Sequence, residues 1–157
     1  MWRGIRYIER MRRVIMLVVV VAGLLGTVGC ARFRPPRGVQ PRVVTMLATG
    51  YCRCGSCCGW KRNWRFRPVY ASGSLKGRRK RVGVTAWGTK AKPGTIAADT
   101  RKFPFGTIMH IEGYGYGRVE DRGGAIKGDH IDLFFRTHRQ ALAWGKQTRR
   151  VKVWVPK

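Results

Sequence analysis

The segment Asp121–Asp132 constrains the fold most, because a glycine-rich turn leads directly into an alternating run of residues. Gly123, Gly124 and Gly128 permit tight turns and positive φ angles, which also let main chain approach a ligand closely. The run that follows has the period of two expected of a strand with one buried face. Its two faces carry Ile131, Leu133 and Phe135, and His130, Asp132 and Phe134, respectively.

Acidic residues are scarce in this chain and are clustered. The formal net charge is +26, yet six of the seven carboxylates fall between positions 99 and 132: Asp99, Glu112, Glu120, Asp121, Asp129 and Asp132. Such a cluster in a basic chain indicates cation ligation, local ion pairs or proton transfer. The ordinary alternative is that the aspartates pair with nearby Arg118, Arg122, Lys127 and Arg136.

Asp132 has the surroundings expected of a general acid. It lies beside an imidazole and a phenyl ring on a strand whose other face is apolar. Desolvation raises a carboxyl pKa, and a neighbouring carboxylate raises it further. A carboxylic acid that stays protonated near neutral pH can donate its proton to a leaving group.

The rest of the pattern predicts short strands separated by turn residues, with one short helix near the C-terminus. Thr137 and Gln140 form a capping box for a helix over Arg139–Trp144, and Gly145 ends it. Such an element content predicts a small all-β barrel. The predicted strands are Val43–Tyr51, Val82–Gly88, Thr95–Ala98, Thr107–Glu112, His130–Phe135, and Val151–Val155 with its three valines buried, and a tight corner precedes Arg118–Asp121.

The N-terminus resembles an export signal. Residues 1–29 combine a basic start with an apolar run that ends in small residues, and Cys30 follows in a context similar to a bacterial lipobox. Lipidation of Cys30, ordinary cleavage and an uncleaved anchor all place the domain outside the cytoplasm, in the cell envelope. Residues 30–42 form a linker rich in proline and arginine, and the domain occupies residues 43–157.

Residues 52–81 form a cysteine-rich and basic insertion. Cys52, Cys54, Cys57 and Cys58 predict two small disulfide loops in an exported protein, with three possible connectivities. The alternative is a metal site with four thiolates, although the usual second CxxC pair is missing. Residues 60–81 add cations and aromatic rings, which suit nucleic-acid stacking, sugar stacking or a solvated loop.

The strong positive charge indicates a polyanionic partner. Nucleic acid is the usual candidate for such a balance, but export argues against it. The polyanions outside a bacterial membrane are peptidoglycan, other anionic envelope glycans and polymers, and lipid headgroups. A basic bias throughout the proteome would explain the charge without a specific partner.

The sequence over about residues 43–155 resembles a 3D domain, a bacterial family named after three aspartates. The matching stretches are GVTAWGTKAKPGTIAADT, FPFGTIMHIEGYGYG, VEDRGGAIKGDHIDLFF and HRQALAWGKQTRRVKVWV. The resemblance aligns the three aspartates with Asp99, Asp121 and Asp132, and it leaves Asp129 outside this set. Arg122 stands where relatives usually have threonine, so it could lower the pKa of Asp121 or bind a stem-peptide carboxylate.

The resemblance implies a six-stranded double-psi β-barrel, similar to the catalytic barrel of membrane-bound lytic transglycosylase A and to expansins. It implies cleavage of peptidoglycan between N-acetylmuramic acid and N-acetylglucosamine, with formation of a 1,6-anhydro end and no cofactor. Asp132 would act as acid and then as base, and Asp121 and Asp99 would tune it or bind sugar. Thr85, Gly123, Gly124 and Lys127 are the expected substrate-binding residues. The alternatives are a wall-binding module without catalysis and a structural envelope lipoprotein.

Overall fold

The computed structural model describes residues 33–156, and the export signal and Cys30 lie outside this range. Its strands are β1 (Arg42–Tyr51), β2 (Trp60–Arg62), β3 (Pro68–Tyr70), β4 (Thr95–Ala97), β5 (Ile108–Ile111), β6 (Gly115–Asp121), β7 (His130–Phe134) and β8 (Gln147–Trp154). Its helices are α1 (Gly55–Cys58) and α2 (His138–Trp144).

Six strands close into one barrel in the order β1-β7-β4-β6-β5-β8. The β1/β7 and β4/β6 pairs are parallel, and the other pairs, including the closing β1/β8 pair, are antiparallel. The expected six-stranded barrel with a short helix near the C-terminus is confirmed. Strands β2 and β3 form a separate hairpin within the insertion.

The barrel interior holds the core, as the alternation in β7 predicts. Ile131 and Leu133 are fully buried inside, and Phe135 packs against the same cluster. Asp132 is only partly buried and points away from the core, since successive strand residues face opposite sides. The other interior side chains are Met46, Ala48, Ile96, Ala98, Phe103, Met109, Ile111, Val119, Val151 and Val153.

Two strand predictions are wrong. Residues 82–88 are not a strand but a loop, in which Gly83 and Gly88 have positive φ angles and only Val84 forms an isolated bridge. The loop instead bonds to the end of β6, where the Trp87 amide donates to the Glu120 carbonyl oxygen. Val155 lies beyond β8 and is exposed, because the strand ends at Trp154.

The C-terminal helix follows its predicted caps. The Thr137 hydroxyl accepts from the Gln140 amide, the Gln140 side chain accepts from the Thr137 amide, and Gly145 follows the last turn. The helix packs against β1 at Gly50, where a Cβ would lie 2.9 Å from the Ala141 carbonyl oxygen. Glycine at this position therefore lets α2 approach the barrel closely.

The segment before β1 lies against the barrel. Phe33 is buried beneath the Arg118 guanidinium, and the Trp154 indole donates to the Val39 carbonyl oxygen. The insertion hairpin presents Trp64 and Phe66 to solvent. Within residues 33–156, no helix is both long and apolar enough to cross a membrane.

Candidate active site

Strand β4 places two of the three predicted aspartates on one face of the barrel wall. Ala97 is the register partner of Asp121 on β6 and of Asp132 on β7. Neighbouring strands lie about 4.8 Å apart, so the two aspartate backbones are about 10 Å apart across β4. The small Ala97 side chain leaves the space between the two carboxyl groups open.

A β-bulge directs Asp121 to this face. The β4/β6 register runs from Ile96 and Val119 to Ala97 and Asp121, so Glu120 is the extra residue. Glu120 is fully buried, and its carboxylate pairs with Arg118 and accepts from the Thr95 hydroxyl. The bulge thus re-aims the next side chain, as bulges near functional sites often do.

A chain of hydrogen bonds leads to Asp132. Thr49 is its register partner on β1, and the Thr49 hydroxyl donates to Asp132 Oδ1 at 2.8 Å. His130 Nε2 lies 3.0 Å from the same hydroxyl oxygen. Because the threonine proton is used toward Asp132, the consistent assignment is that His130 donates from Nε2.

The pKa of Asp132 is raised above its ordinary value. Burial is the main cause, and the Asp121 charge adds to it, while the Thr49 hydrogen bond and His130 act in the opposite direction. The salt bridges formed among residues 33–156 involve Asp99, Glu120 and Asp129, and Asp132 is not part of one. Asp132 therefore holds its proton to a higher pH than an ordinary aspartate.

Asp121 is surrounded by donors. Its Oδ2 accepts from the Tyr51 hydroxyl at 3.2 Å, and its Oδ1 accepts from the Ala86 amide at 3.0 Å and the Arg122 amide at 2.9 Å. Burial, followed by the Asp121 charge, raises the pKa of Tyr51 well above its ordinary value, so Tyr51 remains a donor. Arg122 contacts Asp121 through its backbone, and its guanidinium forms no salt bridge with any described carboxylate.

Asp99 lies apart from this pair. Its carboxylate accepts from Arg101 Nε at 3.1 Å, from Arg101 Nη2 at 3.0 Å and from the Gly128 amide at 3.1 Å. The Arg101 hydrogen bonds are the main cause that holds the pKa of Asp99 well below its usual range. Asp99 lines a second cavity of about 460 Å³ together with Lys127, and it fixes the end of the turn before β7.

Asp121 and Asp132 lie at the floor of a cleft of about 830 Å³. Ala97, Tyr51 and Phe134 complete the floor, and the insertion forms one wall. Five basic side chains surround the two acids: Arg53, Arg79, Lys80, Arg81 and Arg122. The cleft therefore combines a protonatable carboxyl group with a positively charged rim.

The other predicted binding residues divide between the two cavities. Thr85 lines the main cleft, Gly123 and Gly124 line both cavities, and Lys127 lines only the second. Thr85 is buried, and its hydroxyl pairs with that of Thr89 at 2.9 Å. Packing favours glycine at position 123, because a Cβ there would lie 2.8 Å from the Ile126 side chain.

The four cysteines of the insertion, for which disulfides were predicted, are free thiols. Cys57 and Cys58 line the cleft, and Cys52 is buried directly after Tyr51. The Cys52 and Cys57 sulfurs lie 3.8 Å apart, far beyond the about 2.05 Å of a disulfide. The predicted disulfides are therefore absent from the described structure.

Sequence reasoning missed the residues of β1 that bind the two aspartates. Thr49 and Tyr51 share one face of the strand, and each contacts one of the two aspartates. The available signal was the alternation in β1, which separates both residues from the buried Met46 and Ala48. Their aspartate partners could not be identified, because the β1/β7 pairing joins segments about 80 residues apart.

Comparison with known proteins identifies the C-terminal part of the chain. Residues 94–157 match the sequence model of the 3D domain. Over this region the chain is similar to the 3D domain family. The match contains Asp99, Asp121 and Asp132, and the cysteine-rich insertion precedes it.

Two relatives of the 3D domain come from Bacillus subtilis (strain 168). The chain is 41% identical over 75 residues to the putative cell wall shaping protein YabE, across 45% of this chain and 18% of YabE. It is also 41% identical over 75 residues to the cell wall-binding protein YocH, across 45% of this chain and 26% of YocH. The chain thus spans about a quarter or less of these curated relatives.

Solved structures with a similar fold include MltA from E. coli with bound chitohexaose. That similarity has a TM-score of 0.39 at 22% identity, and it covers 46% of this chain and 28% of MltA. A second MltA structure, described as a unique lytic transglycosylase fold, has a TM-score of 0.38 at 20% identity over 52% of this chain and 30% of MltA.

Proposed function

We propose that this protein is a peptidoglycan lytic transglycosylase in which Asp132 is both the acid and the base. The observation that carries the proposal is a carboxyl group with a raised pKa at the floor of a large, positively charged cleft. The 3D domain and its cell-wall relatives support a role in the bacterial envelope.

One carboxyl group is sufficient for this reaction. The protonated Asp132 gives its proton to the glycosidic oxygen, and the bond from that oxygen to C1 of N-acetylmuramic acid breaks. The resulting carboxylate then removes the proton from the C6 hydroxyl as its oxygen bonds to C1, which leaves a 1,6-anhydro end. The reaction consumes no water, and Asp132 finishes protonated as it began.

The neighbours of Asp132 have positioning and electrostatic roles. The negative charge of Asp121 favours the protonated form of Asp132 before the reaction. The same charge stabilises the oxocarbenium-like transition state. Thr49 fixes the orientation of the Asp132 carboxyl group. Asp99 acts at a distance, since it anchors the turn that carries Gly123 and Gly124.

The basic rim suits a substrate that carries carboxylates. Arg79, Arg81 and Arg122 line the cleft on the side of the insertion and the turn. Peptidoglycan bears stem-peptide carboxylates beside the scissile bond, and arginine binds carboxylates in a bidentate manner. Neutral glycans lack this attraction, so the proposal favours peptidoglycan with intact stem peptides over chitin-like polymers.

Product analysis tests the proposal. The purified full-length chain is incubated with peptidoglycan, and soluble products are identified by mass spectrometry. We expect anhydro-muropeptides, and we expect Asp132→Asn to lower their rate of formation by about 10²–10⁴-fold, the usual contribution of acid–base catalysis. Asp129→Asn is the matched control, because Asp129 pairs with Lys102 and is not among the residues that line the main cleft.

Other products would contradict the mechanism. Reducing ends in place of anhydro ends would identify a hydrolase, which uses water and a second carboxyl group. A folded wild-type protein that sediments with cell walls but releases no product would be a wall-binding module. The second candidate function is favoured by the YocH similarity and by the basic cleft.

A further inference from the structure

Three thiols and one imidazole converge beside the barrel, outside the proposed catalytic pair. The ligand atoms of Cys52, Cys54, Cys57 and His138 all lie within 4.8 Å of one another. The cysteines follow β1, and His138 is the first residue of α2. The close approach of α2 to β1 at Gly50 delivers the imidazole to the cysteines.

Three of the six separations between these ligand atoms match the edges of a tetrahedron around one ion. His138 Nδ1 lies 3.4 Å from Cys57 Sγ and 3.6 Å from Cys54 Sγ, and the Cys52 and Cys57 sulfurs are 3.8 Å apart. Zinc bonds of about 2.3 Å to sulfur and about 2.0 Å to nitrogen give tetrahedral edges of about 3.8 Å between sulfurs and about 3.5 Å between sulfur and nitrogen. These three edges of the cluster therefore already have the spacing that a zinc ion requires.

The backbone also directs donors at the sulfurs. The Cys54 amide donates to Cys52 Sγ at 3.5 Å, and the Cys57 amide donates to Cys54 Sγ at 3.4 Å. Cys54 caps α1, and Gly59 ends this single turn in the left-handed conformation. Such amide donors stabilise thiolate ligands and fix their direction.

The fourth cysteine of the insertion does not join the cluster. The Cys58 thiol donates to the Cys52 carbonyl oxygen at 3.0 Å, and Cys58 lines the cleft. The metal alternative stated from the sequence consists of four cysteines, whereas the fold places the imidazole of His138, about 80 residues away, in the cluster in place of Cys58. This difference provides a matched control within the same segment.

We propose that Cys52, Cys54, Cys57 and His138 bind one zinc ion in a structural site. Binding releases the protons of the three thiols and uses the neutral imidazole through Nδ1. All four positions are filled by protein side chains, so no position remains for substrate or water, which is typical of structural zinc. The ion would join the insertion to α2, and its ligand Cys52 directly follows Tyr51, the donor to Asp121, in the sequence.

Metal analysis of the full-length chain, purified with its thiols kept reduced, tests this proposal. We expect about one zinc per chain, as a site with four protein ligands and no open position would hold. Cys54→Ser and His138→Ala should each lower the zinc affinity by more than the about 10–100-fold loss caused by outer-shell changes. Cys58→Ser should retain the metal. His138 is exposed, so its replacement is compatible with folding.

A second measurement covers the case in which a cysteine variant does not fold. Removal of zinc from the wild-type chain by a chelator should lower its Tm, and added zinc should restore it. Replacement by Co²⁺ should give the visible absorption of a tetrahedral thiolate site.

Three results would overturn the proposal. One is a folded chain with reduced thiols and no zinc. The second is an equal loss of zinc in Cys58→Ser and Cys54→Ser. The third is a mass deficit of two or four hydrogens in the native chain, which would identify disulfides in this segment.

Discussion

The pKa of Asp132 is shifted in opposite directions by its surroundings. Burial and the Asp121 charge raise its pKa, whereas the Thr49 hydroxyl and His130 lower it. The proposed reaction begins with the protonated form, so the rate should fall as the pH rises through the pKa of Asp132. Residues that change this pKa should move the alkaline limb of the pH–rate profile.

Thr49→Val and Asp121→Asn should move this limb in opposite directions. Loss of the Thr49 hydrogen bond destabilises the carboxylate, so the limb moves to higher pH. Loss of the Asp121 charge removes a cause of the raised pKa, so the limb moves to lower pH. The measurement is the rate of muropeptide release as a function of pH, with folding checked by circular dichroism at each pH. If the alkaline limbs of the two variants moved in the same direction, that result would contradict the role of Asp132.

Among the elements, β6 shows the limit of sequence reasoning. Strict alternation places Val119 and Asp121 on one face and Glu120 on the other, which would direct Asp121 into the core. The bulge at Glu120 reverses the direction of the Asp121 side chain. The bulge is defined by the pairing of β6 with β4, which the sequence alone does not show. The alternation in β7 could be followed because β7 has no such irregularity within its range.

The turn between β6 and β7 depends on Asp99, and the Asp99→Asn variant tests this dependence. The pKa of Asp99 is lower in the folded chain, so its carboxylate stabilises the fold above the ordinary carboxyl pKa of about 4 and loses this effect as the pH falls. We expect Asp99→Asn to lower the Tm by roughly 5 °C at neutral pH and by progressively less below about pH 4.

Asp129→Asn serves as the control for this comparison, since its salt bridge with Lys102 is partly exposed. Exposed pairs contribute little, so this variant should change the Tm only slightly. A difference for Asp99→Asn that is the same at neutral and acidic pH would exclude the proposed ionic anchor.

Local patterns predicted the barrel strands and α2, because these elements follow from alternation and from caps within a few residues. They did not predict which segments meet. The contacts of Thr49 with Asp132 and of His138 with Cys57 each join residues more than 80 positions apart. The strand prediction for residues 82–88 is wrong because this segment forms no continuous ladder with the end of β6. It is bound there by the Trp87 amide, which donates to the Glu120 carbonyl oxygen.

At the scale of the whole molecule, 33 basic residues outnumber seven acidic residues and give the formal net charge of +26, and Asp99, Glu120 and Asp129 are further neutralised by salt bridges. The long-range field is therefore strongly positive, and the cleft carries five of the basic side chains. A positive surface of this kind attracts anionic polymers and is sensitive to ionic strength.

Retention of the full-length chain on isolated cell walls should fall steeply with salt. Charges are screened over about 8 Å at physiological ionic strength and over about 3 Å at 1 M. We expect Arg81→Gln to weaken retention more than Arg139→Gln, because Arg81 lines the cleft and Arg139 lies on α2. The bound fraction is measured by sedimentation over a salt series. Equal retention at low and high salt would assign binding to stacking and hydrogen bonds instead.

The closed barrel has a consequence for how such proteins can diversify. Each of the six barrel strands is paired on both sides, and the segment between β1 and β4 contributes its own hairpin and one wall of the cleft. Exchange of that segment would leave the hydrogen-bonded ring unbroken. Replacement of residues 60–81 should therefore change substrate preference while it retains Asp121, Asp132, the Ala86 amide and the three cysteine ligands.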